Sequence, residues 1–220
     1  MLDFAAARRM MVDGQVRPSD VTDPRIVDAM LDLPRERFVP AALRPLSYLD
    51  QNLTVTEGGE PRCLIQPRVL AKMVHLADVA AGDRVLDIGC ATGYSTALLA
   101  RLGRSVVGLE SDPELAQQAR RNLSDLGIAN AEVVAGALAA GWPGGAPYDV
   151  VLINGAVETI PETLVGQVRD GGRIVAIVGL GPAGTCCVMT VSQGRTSARP
   201  VFDASAPGLD GFKKAAEFVF

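Results

Sequence analysis

The chain has 220 residues, 48% of them hydrophobic, which is enough for one domain with a sizeable core. Its formal net charge of −4 argues against nucleic acid as a partner, because phosphate binding needs a basic face. No apolar run reaches the roughly 20 residues of a membrane span, and the N-terminus lacks the residue order of a signal peptide. We therefore expect a cytoplasmic protein that binds neither nucleic acid nor membrane; its oligomeric state is left open.

Residues 1–80 are predicted to form an N-terminal helical extension. The stretch "DPRIVDAMLDL" is typical of a helix, with Asp23 as its cap and Pro24 at the first helical position. A second helix is predicted over 65–79. The polar, glycine-rich stretch 48–63 is predicted to be a loop between the two helices.

Residues 81–220 are predicted to form an α/β core, because strand and helix patterns alternate from about Asp83 onwards. Runs of Val, Ile and Leu without alternation indicate strands buried on both faces, as in a parallel sheet flanked by helices. The predicted strands are 84–88, 105–110, 131–136, 148–156 and 171–179. The predicted helices are 93–103, 111–127 (with Asp112 as its cap) and 160–170.

The pattern changes near the end of the chain. "CCVMTVSQGR" indicates a strand followed by a turn, and residues 215–220, "AAEFVF", indicate a last strand. With no helix between them, the two can pair as an antiparallel hairpin at one end of the sheet. The stretch 202–212, "FDASAPGLDGF", is predicted to be a surface loop.

The stretch "LDIGCATGY" indicates a ligand site. A strand ends in a tight turn that contains Gly89 and Gly93, and a helix start beyond it offers free N–H groups. Glu110 stands at the end of the next predicted strand, where a carboxylate can accept two hydrogen bonds from a ribose diol. The alternative is an ordinary α/β turn with an incidental glutamate.

The same turn indicates which nucleoside ligand to expect. It reads G-x-x-x-G, with Ala91 in the middle, whereas the dinucleotide fingerprint is G-x-G-x-x-G. Asp87 precedes the turn and would repel a phosphate. It suits a ligand with a cationic end, such as the amino group of S-adenosylmethionine.

The four cysteines predict no metal site. None forms a C-x-x-C pair, and the chain has one histidine. Reduced, mostly buried thiols are expected. Cys63 lies in the polar loop, and a role for its thiol stays open, although no adjacent base is visible.

Motifs along nearly the whole chain carry a family resemblance. "MMVDGQVRP", "VTDPRIVDAMLDLPRERFVP", "YLDQNLTV", "VLDIGCATGYSTALLARL", "AAGW", "IPETLVGQVRDGGRIVAIVG" and the final "EFVF" resemble successive signatures of the protein-L-isoaspartate O-methyltransferases. That family uses S-adenosylmethionine to methylate isoaspartyl carboxylates in damaged proteins, leaving S-adenosylhomocysteine. The resemblance implies a class I methyltransferase fold, Rossmann-like and mostly parallel, with an antiparallel C-terminal hairpin and the N-terminal extension.

The resemblance also implies a set of site residues. Those expected at the cofactor are Asp87, Gly89, Cys90, Ala91, Gly93, Tyr94, Glu110, Ser111, Gly136 and Ala137. The substrate loop is expected at Cys63, Leu64, Ile65 and Gln66, and an isoaspartyl protein or peptide is the expected partner.

The chain departs from the family pattern at both sites. The family's substrate loop reads Gly-x-Gly-Gln-Thr-Ile-Ser-Gln-Pro, and here Cys63 replaces the Thr and Ile65 replaces the Ser associated with catalysis. Ala137 stands where the family's Gly-Asp-Gly has the Asp that serves the adenine. Asp87 replaces a usual Glu, and Ala91 replaces a Gly.

These departures leave three functions open. The first is repair of isoaspartyl proteins by methylation, with weak activity because Ile65 brings no hydroxyl. The second is methyl transfer to a different acceptor. The third is a catalytically inactive member that binds a nucleoside ligand or a protein partner.

Overall fold

The computed structural model describes residues 3–56 and 58–214. The α-helices are α1 (Phe4–Met11), α2 (Pro24–Asp32), α3 (Pro67–Ala77), α4 (Tyr94–Ala100), α5 (Pro113–Asp125) and α6 (Glu162–Val165). The strands are β1 (Leu53–Thr54), β2 (Cys63–Leu64), β3 (Arg84–Ile88), β4 (Ser105–Glu110), β5 (Ala131–Ala135), β6 (Tyr148–Val157), β7 (Val168–Val178), β8 (Thr185–Ser192) and β9 (Arg195–Asp203).

Seven strands form one sheet in the order β5-β4-β3-β6-β7-β8-β9. Neighbours from β5 to β7 are parallel, while β8 and β9 join antiparallel. This confirms the predicted mostly parallel sheet with an antiparallel hairpin at one end. The strand order changes direction between β3 and β6, and ligands of open α/β sheets bind beyond the carboxyl ends of strands at such a point. We call this place the switch-point crevice.

Local sequence signals explain where the main helices begin. The Asp112 carboxylate accepts hydrogen bonds from the backbone N–H groups of Glu114 and Leu115, and Pro113 opens α5. Asp23 caps α2 in the same way, with Pro24 at its first position. Both predicted caps are confirmed.

Two predictions at the C-terminal half need correction. The helix predicted over 160–170 is only the single turn Glu162–Val165, because the chain enters β7 at Val168, which pairs with Tyr148 of β6. The hairpin partner of β8 is β9, whereas the strand predicted at 215–220 lies outside the described residues. β9 is mostly exposed, so its sequence lacks the apolar pattern of a buried strand.

The predicted surface loop 202–212 is also different in the structure. Its first two residues belong to β9, and the rest turns back over the sheet. Leu209 and Phe212 are buried, and the backbone pairs with the end of β6 through Ala156. Apolar side chains at these two positions therefore anchor a loop whose composition is otherwise that of an exposed turn.

The N-terminal segment packs onto the sheet. Met11 and Met30 from this segment belong to the same hydrophobic cluster as Val85 of β3 and Leu152 of β6. A boundary at residue 80 stays a prediction. No helix within residues 3–56 and 58–214 is long and apolar enough to cross a bilayer.

Candidate functional site

The turn between β3 and α4 lies at the switch-point crevice, and its shape requires glycine at two positions. Gly89 and Gly93 have φ angles of +75° and +93°, in the left-handed region that favours glycine. The Gly89 N–H donates to the Leu109 carbonyl at 2.8 Å, and the Gly93 N–H donates to the Cys90 carbonyl at 2.8 Å. The turn is thus held to the end of β4 and closed on itself before the helix begins.

Glu110 ends β4 with its carboxylate facing this turn. The side chain is 0% exposed. One oxygen, Oε2, accepts from the Ala91 N–H at 2.8 Å, and the other, Oε1, accepts from the N–H groups of Ser111 and Asp112 at 2.8 and 3.1 Å. Backbone donors therefore fix the carboxylate beside the turn.

A buried arginine completes the contacts of Glu110. Arg62 is 4% exposed, and its Nε donates to Glu110 Oε1 at 3.0 Å. Its Nη2 donates to Ser111 Oγ at 2.7 Å, while its Nη1 is buried without a hydrogen-bond partner among the described residues. The acid expected to hold a ribose is thus paired with a side chain of the protein itself.

Asp87 is a second buried carboxylate at the turn. Its Oδ2 accepts from the hydroxyls of Ser95 and Thr96, both at 2.6 Å. Burial raises the pKa of Asp87 to about 6, although these two hydrogen bonds oppose the rise. Asn154, within β6, donates to Ser95 Oγ at 3.0 Å and to the Gly89 carbonyl at 3.2 Å.

Two acceptor atoms in this cluster are buried without a hydrogen-bond partner within residues 3–56 and 58–214. They are Asp87 Oδ1 and Asn154 Oδ1. Buried acceptor atoms ordinarily accept a hydrogen bond, so two that do not, beside a turn that can bind a ligand, indicate a missing donor. A donor group with positive charge is the chemistry that suits them.

Leu209 fills the switch-point crevice on the glycine side. A Cβ added to Gly155 would lie 2.5 Å from Leu209 Cγ, and one added to Gly89 would lie 3.1 Å from Leu209 Cδ1. The Leu209 side chain therefore rests directly on the backbone of β6 and of the turn. Its own N–H donates to the Ala156 carbonyl at 2.8 Å, which fixes the loop in place.

The predicted substrate loop runs behind the same turn. Ile65 is 1% exposed, and Cys63 and Leu64 are buried as well. The Ile65 carbonyl accepts from Arg35 Nη2 at 2.8 Å, and the buried Arg35 guanidinium lies 4.8 Å from the ring centre of Tyr94, at the start of α4. Arg35 thereby connects the substrate loop to the cofactor turn.

The other predicted residues differ in their surroundings. Gly136 follows β5, and its N–H donates to the Glu110 carbonyl at 3.0 Å, so it adjoins the end of β4. Ala137, next along the chain, is exposed. Cys90 is buried within the turn, and the Gln66 N–H donates to Asn52 Oδ1 at 2.9 Å just before α3.

Comparison with known proteins identifies the family. Residues 8–200 match the family described as protein-L-isoaspartate(D-aspartate) O-methyltransferase (PCMT). The chain belongs to this family.

Relatives named protein-L-isoaspartate O-methyltransferase cover most of the chain. One from Methanoculleus marisnigri is 37% identical over 194 residues, which are 88% of this chain and 87% of the relative. One from Herpetosiphon aurantiacus is 41% identical over 172 residues, which are 78% of this chain and 75% of the relative.

Solved structures agree in fold. A protein-L-isoaspartate O-methyltransferase structure superposes with a TM-score of 0.82 at 27% identity, over 93% of this chain and 66% of that one. A Plasmodium falciparum protein described as a putative protein-L-isoaspartate O-methyltransferase, in complex with S-adenosylhomocysteine, superposes with a TM-score of 0.78 at 17% identity, over 96% of this chain and 99% of that one. The predicted class I methyltransferase fold is confirmed.

Arg62 and Leu209 lie at the turn although neither is predicted from the sequence to do so. A signal for Arg62 exists in the family's substrate-loop motif: counted back from Gln66 and Pro67, Arg62 takes the place of the motif's Gln. Because the motif's residue is neutral, an arginine at this position brings an extra cation, and a buried acid such as Glu110 is a candidate partner for it. For Leu209 the only signal is a large apolar residue within a polar, glycine-bearing loop.

Proposed function

We propose that this chain is an S-adenosylmethionine-dependent protein-L-isoaspartate O-methyltransferase, which transfers a methyl group to the isoaspartyl carboxylate of damaged proteins. Membership of the family supports the reaction class. The observation that carries the proposal at the level of the site is the placement of Glu110 beside the Gly89–Gly93 turn, at the carboxyl end of β4. A carboxylate there suits the ribose of an adenosine-type ligand.

The chemistry of the turn fits this cofactor. Asp87 Oδ1 and Asn154 Oδ1 are buried acceptors without partners in the described part of the chain, and they suit the ammonium group of the methionine portion. Gly89 and Gly93 allow backbone to approach the ligand closely. In this arrangement Glu110 would hold the ribose. When bound, S-adenosylmethionine supplies a methyl group on a positively charged sulfur.

The chain needs no general base for this reaction. An isoaspartyl carboxylate is already ionised at pH 7. Burial raises the pKa of the Cys63 thiol to about 12 and raises that of Cys90 as well, so both are neutral at pH 7 and neither is an activated nucleophile. The remaining tasks are to bind and orient the carboxylate and to exclude water.

A second candidate function, methyl transfer to a different acceptor, is favoured by Ile65. Its side chain is buried in the hydrophobic core and supplies no hydroxyl where the family motif has Ser. An isoaspartyl carboxylate loses one hydrogen-bond donor there, and we expect weak methylation of it. If the missing hydroxyl abolishes methyl transfer altogether, the chain is an inactive family member that still binds a ligand.

We also propose a cytoplasmic location, with damaged proteins as partners. The four cysteines are free thiols, three of them buried. Thiols stay reduced in the cytosol, so this thiol inventory suits that compartment.

A methyl-transfer assay tests the proposed function. The full chain is incubated with radiolabelled S-adenosylmethionine and either an isoaspartyl peptide or the same peptide with ordinary aspartate. We expect label on the isoaspartyl peptide alone, and its loss in Glu110→Ala. Equal labelling of the two peptides, or none of either, would contradict the proposal.

The double change Cys63→Thr with Ile65→Ser separates the first candidate from the second. Restoring the hydroxyl should raise labelling of the isoaspartyl peptide tenfold or more. Burial of Ile65 means that the variant loses stability, on the order of 2–4 kcal/mol, so rates are compared at a temperature where unfolding curves show both proteins folded. No gain in a folded double variant would favour another acceptor.

A further inference from the structure

Two side chains from separate loops converge on the β3–α4 turn, and the proposed reaction uses neither. Arg62 lies just before β2, in the loop that follows β1. Leu209 lies in the loop that follows β9. We call these two side chains the closing pair.

The Arg62 guanidinium donates to the Glu110 carboxylate, where a ribose hydroxyl would otherwise donate. A carboxylate offers about four lone-pair sites, and Glu110 receives the Arg62 Nε–H together with three backbone N–H groups. The donors from Arg62, Ser111 and Asp112 all meet at Oε1, which has no lone pair left. Oε2 accepts only from Ala91, so the carboxylate has room for one ribose hydroxyl but not for both. A diol and the guanidinium therefore compete for the same carboxylate.

Leu209 fills the other end of the same cleft. It rests on the backbone of Gly89 and Gly155, next to Asn154, whose Oδ1 is one of the acceptors that suit the ammonium of the proposed cofactor. Between the two loops lies a cavity of about 180 Å³, lined by Glu60 and Pro61 on one side and by Gly208 and Leu209 on the other, among others. This volume is below the roughly 300–1,000 Å³ of ordinary ligand pockets, and neither Glu110 nor Gly89 lines the cavity.

The loop that carries Arg62 is built to move. Its tip, residues 58–61, is exposed, and Cβ atoms added to Gly58 and Gly59 would meet open space. Near its base the loop is held by two hydrogen bonds, from the Val55 N–H to the Arg62 carbonyl and from the Arg62 N–H to Thr56 Oγ1. Outward rotation of the Arg62 side chain exchanges the ion pair with Glu110 and the hydrogen bond to Ser111 Oγ for water, without breaking either of these backbone bonds.

We propose that the closing pair regulates cofactor binding from within the chain: Arg62 takes the place of the ribose at Glu110, Leu209 fills the crevice at Gly89, and the cofactor enters only after both have moved. This inference rests on the proposed function. It follows that binding is coupled to opening of the loop before β2, and that the apparent affinity is the intrinsic affinity multiplied by the fraction of molecules that are open. The family motif has a neutral Gln at the position of Arg62, so closure by a guanidinium belongs to this chain's own sequence.

Calorimetric titration of the full chain with S-adenosylhomocysteine tests the inference without any turnover. Arg62→Gln should lower the dissociation constant at least tenfold relative to the unmodified protein. Arg68→Gln is the matched control, because Arg68 lies six residues after Arg62 and is an exposed arginine that pairs with Asp50. This substitution should change the dissociation constant less than twofold. Leu209→Ala should lower the constant at least threefold, and it keeps the test decisive if Arg62→Gln does not fold.

Hydrogen exchange gives a second readout. Addition of S-adenosylhomocysteine to the unmodified protein should speed amide exchange in residues 58–62, because Arg62 leaves Glu110. Equal or weaker affinity in folded Arg62→Gln and Leu209→Ala, or unchanged exchange on binding, would overturn the closing pair while the proposed function stood. Absence of binding in every variant would instead overturn the proposed cofactor, and the closing pair with it.

Discussion

Ala91 holds a backbone conformation that its side chain disfavours. Its φ angle is +49°, in the left-handed region, at the position where the family motif has Gly. Its N–H donates to Glu110, so the conformation is enforced by the site. The strain of a left-handed alanine is about 1 kcal/mol.

Ala91→Gly should therefore stabilise the protein by about 0.5–1 kcal/mol, since glycine adopts this conformation without the Cβ clash. Urea unfolding measures the change. Ala97→Gly, in the interior of α4, is the control and should destabilise by a similar amount. A loss of stability in Ala91→Gly would show that packing of the methyl group outweighs the strain.

Asp87 makes stability depend on pH. Its pKa in the folded protein is about 6, above the ordinary value of 3.8, so the folded state holds this proton more tightly than the unfolded chain. The contribution of Asp87 to the free energy of unfolding therefore falls as the pH rises from about 4 to about 6, and stays low above that.

Asp87→Asn should lack this fall. Each pKa unit is worth about 1.4 kcal/mol, so the stability of the variant relative to the unmodified protein should rise by roughly 3 kcal/mol between pH 4 and pH 7. Urea unfolding at several pH values measures it, with the exposed Asp28→Asn on α2 as the control. A difference that is constant across this range would mean that Asp87 titrates normally.

At the scale of elements, Arg35 joins the N-terminal segment to the site. The fully buried guanidinium donates from Nε to the Ser47 carbonyl and from Nη2 to the Ile65 carbonyl, both at 2.8 Å, and lies over Tyr94. A lysine ammonium cannot serve two separate carbonyls and a ring at once.

Arg35→Lys should consequently lower the free energy of unfolding by about 2–4 kcal/mol, because a buried carbonyl loses its donor. Arg37→Lys is the matched control, because Arg37 lies in the same short 3₁₀ helix, Arg35–Phe38, and its exposed side chain pairs with Asp125. It should change stability by less than about 0.5 kcal/mol. Equal effects of the two substitutions would show that Arg35 is not a structural connection.

The elements that could be predicted are those with signals inside their own sequence. Asp23–Pro24 and Asp112–Pro113 predicted helix starts, and unbroken apolar runs predicted the five parallel strands. β9 could not be predicted in the same way, because an exposed edge strand carries no apolar pattern. The helix predicted after β6 is longer than the single turn in the structure, because pairing with β6 determines the backbone from Val168 onwards.

The same distinction holds for the site. The turn and Glu110 could be found because a strand, two glycines and an acid at the next strand end are local features. The pairing of Arg62 with Glu110 joins residues 48 positions apart, and Leu209 reaches a glycine 120 positions earlier. Such contacts depend on the finished fold. The sequence alone therefore predicted a Glu110 carboxylate that is available to a ribose, without its Arg62 partner.

For the molecule as a whole, cofactor binding should raise thermal stability. A ligand present at 100 times its dissociation constant stabilises the folded state by about 2.7 kcal/mol. In a chain of this size that corresponds to a rise in melting temperature of roughly 5–10 °C.

Thermal unfolding with and without S-adenosylhomocysteine measures this rise. Glu110→Ala at the same ligand concentration is the control and should show a smaller rise, because a charge-assisted acceptor for the ribose is gone. An equal rise in that variant would place the ligand elsewhere on the molecule.

If the cofactor replaces Arg62 at Glu110, one distance between two side chains must change when it binds. In a crystal structure of the unmodified chain grown with S-adenosylhomocysteine, we predict ribose hydroxyls within hydrogen-bonding distance of Glu110. The distance from Arg62 Nε to Glu110 Oε1, 3.0 Å in the closed conformation, should then exceed 4 Å. A bound ligand with the Arg62–Glu110 pair still at about 3 Å would show that the cofactor does not replace Arg62.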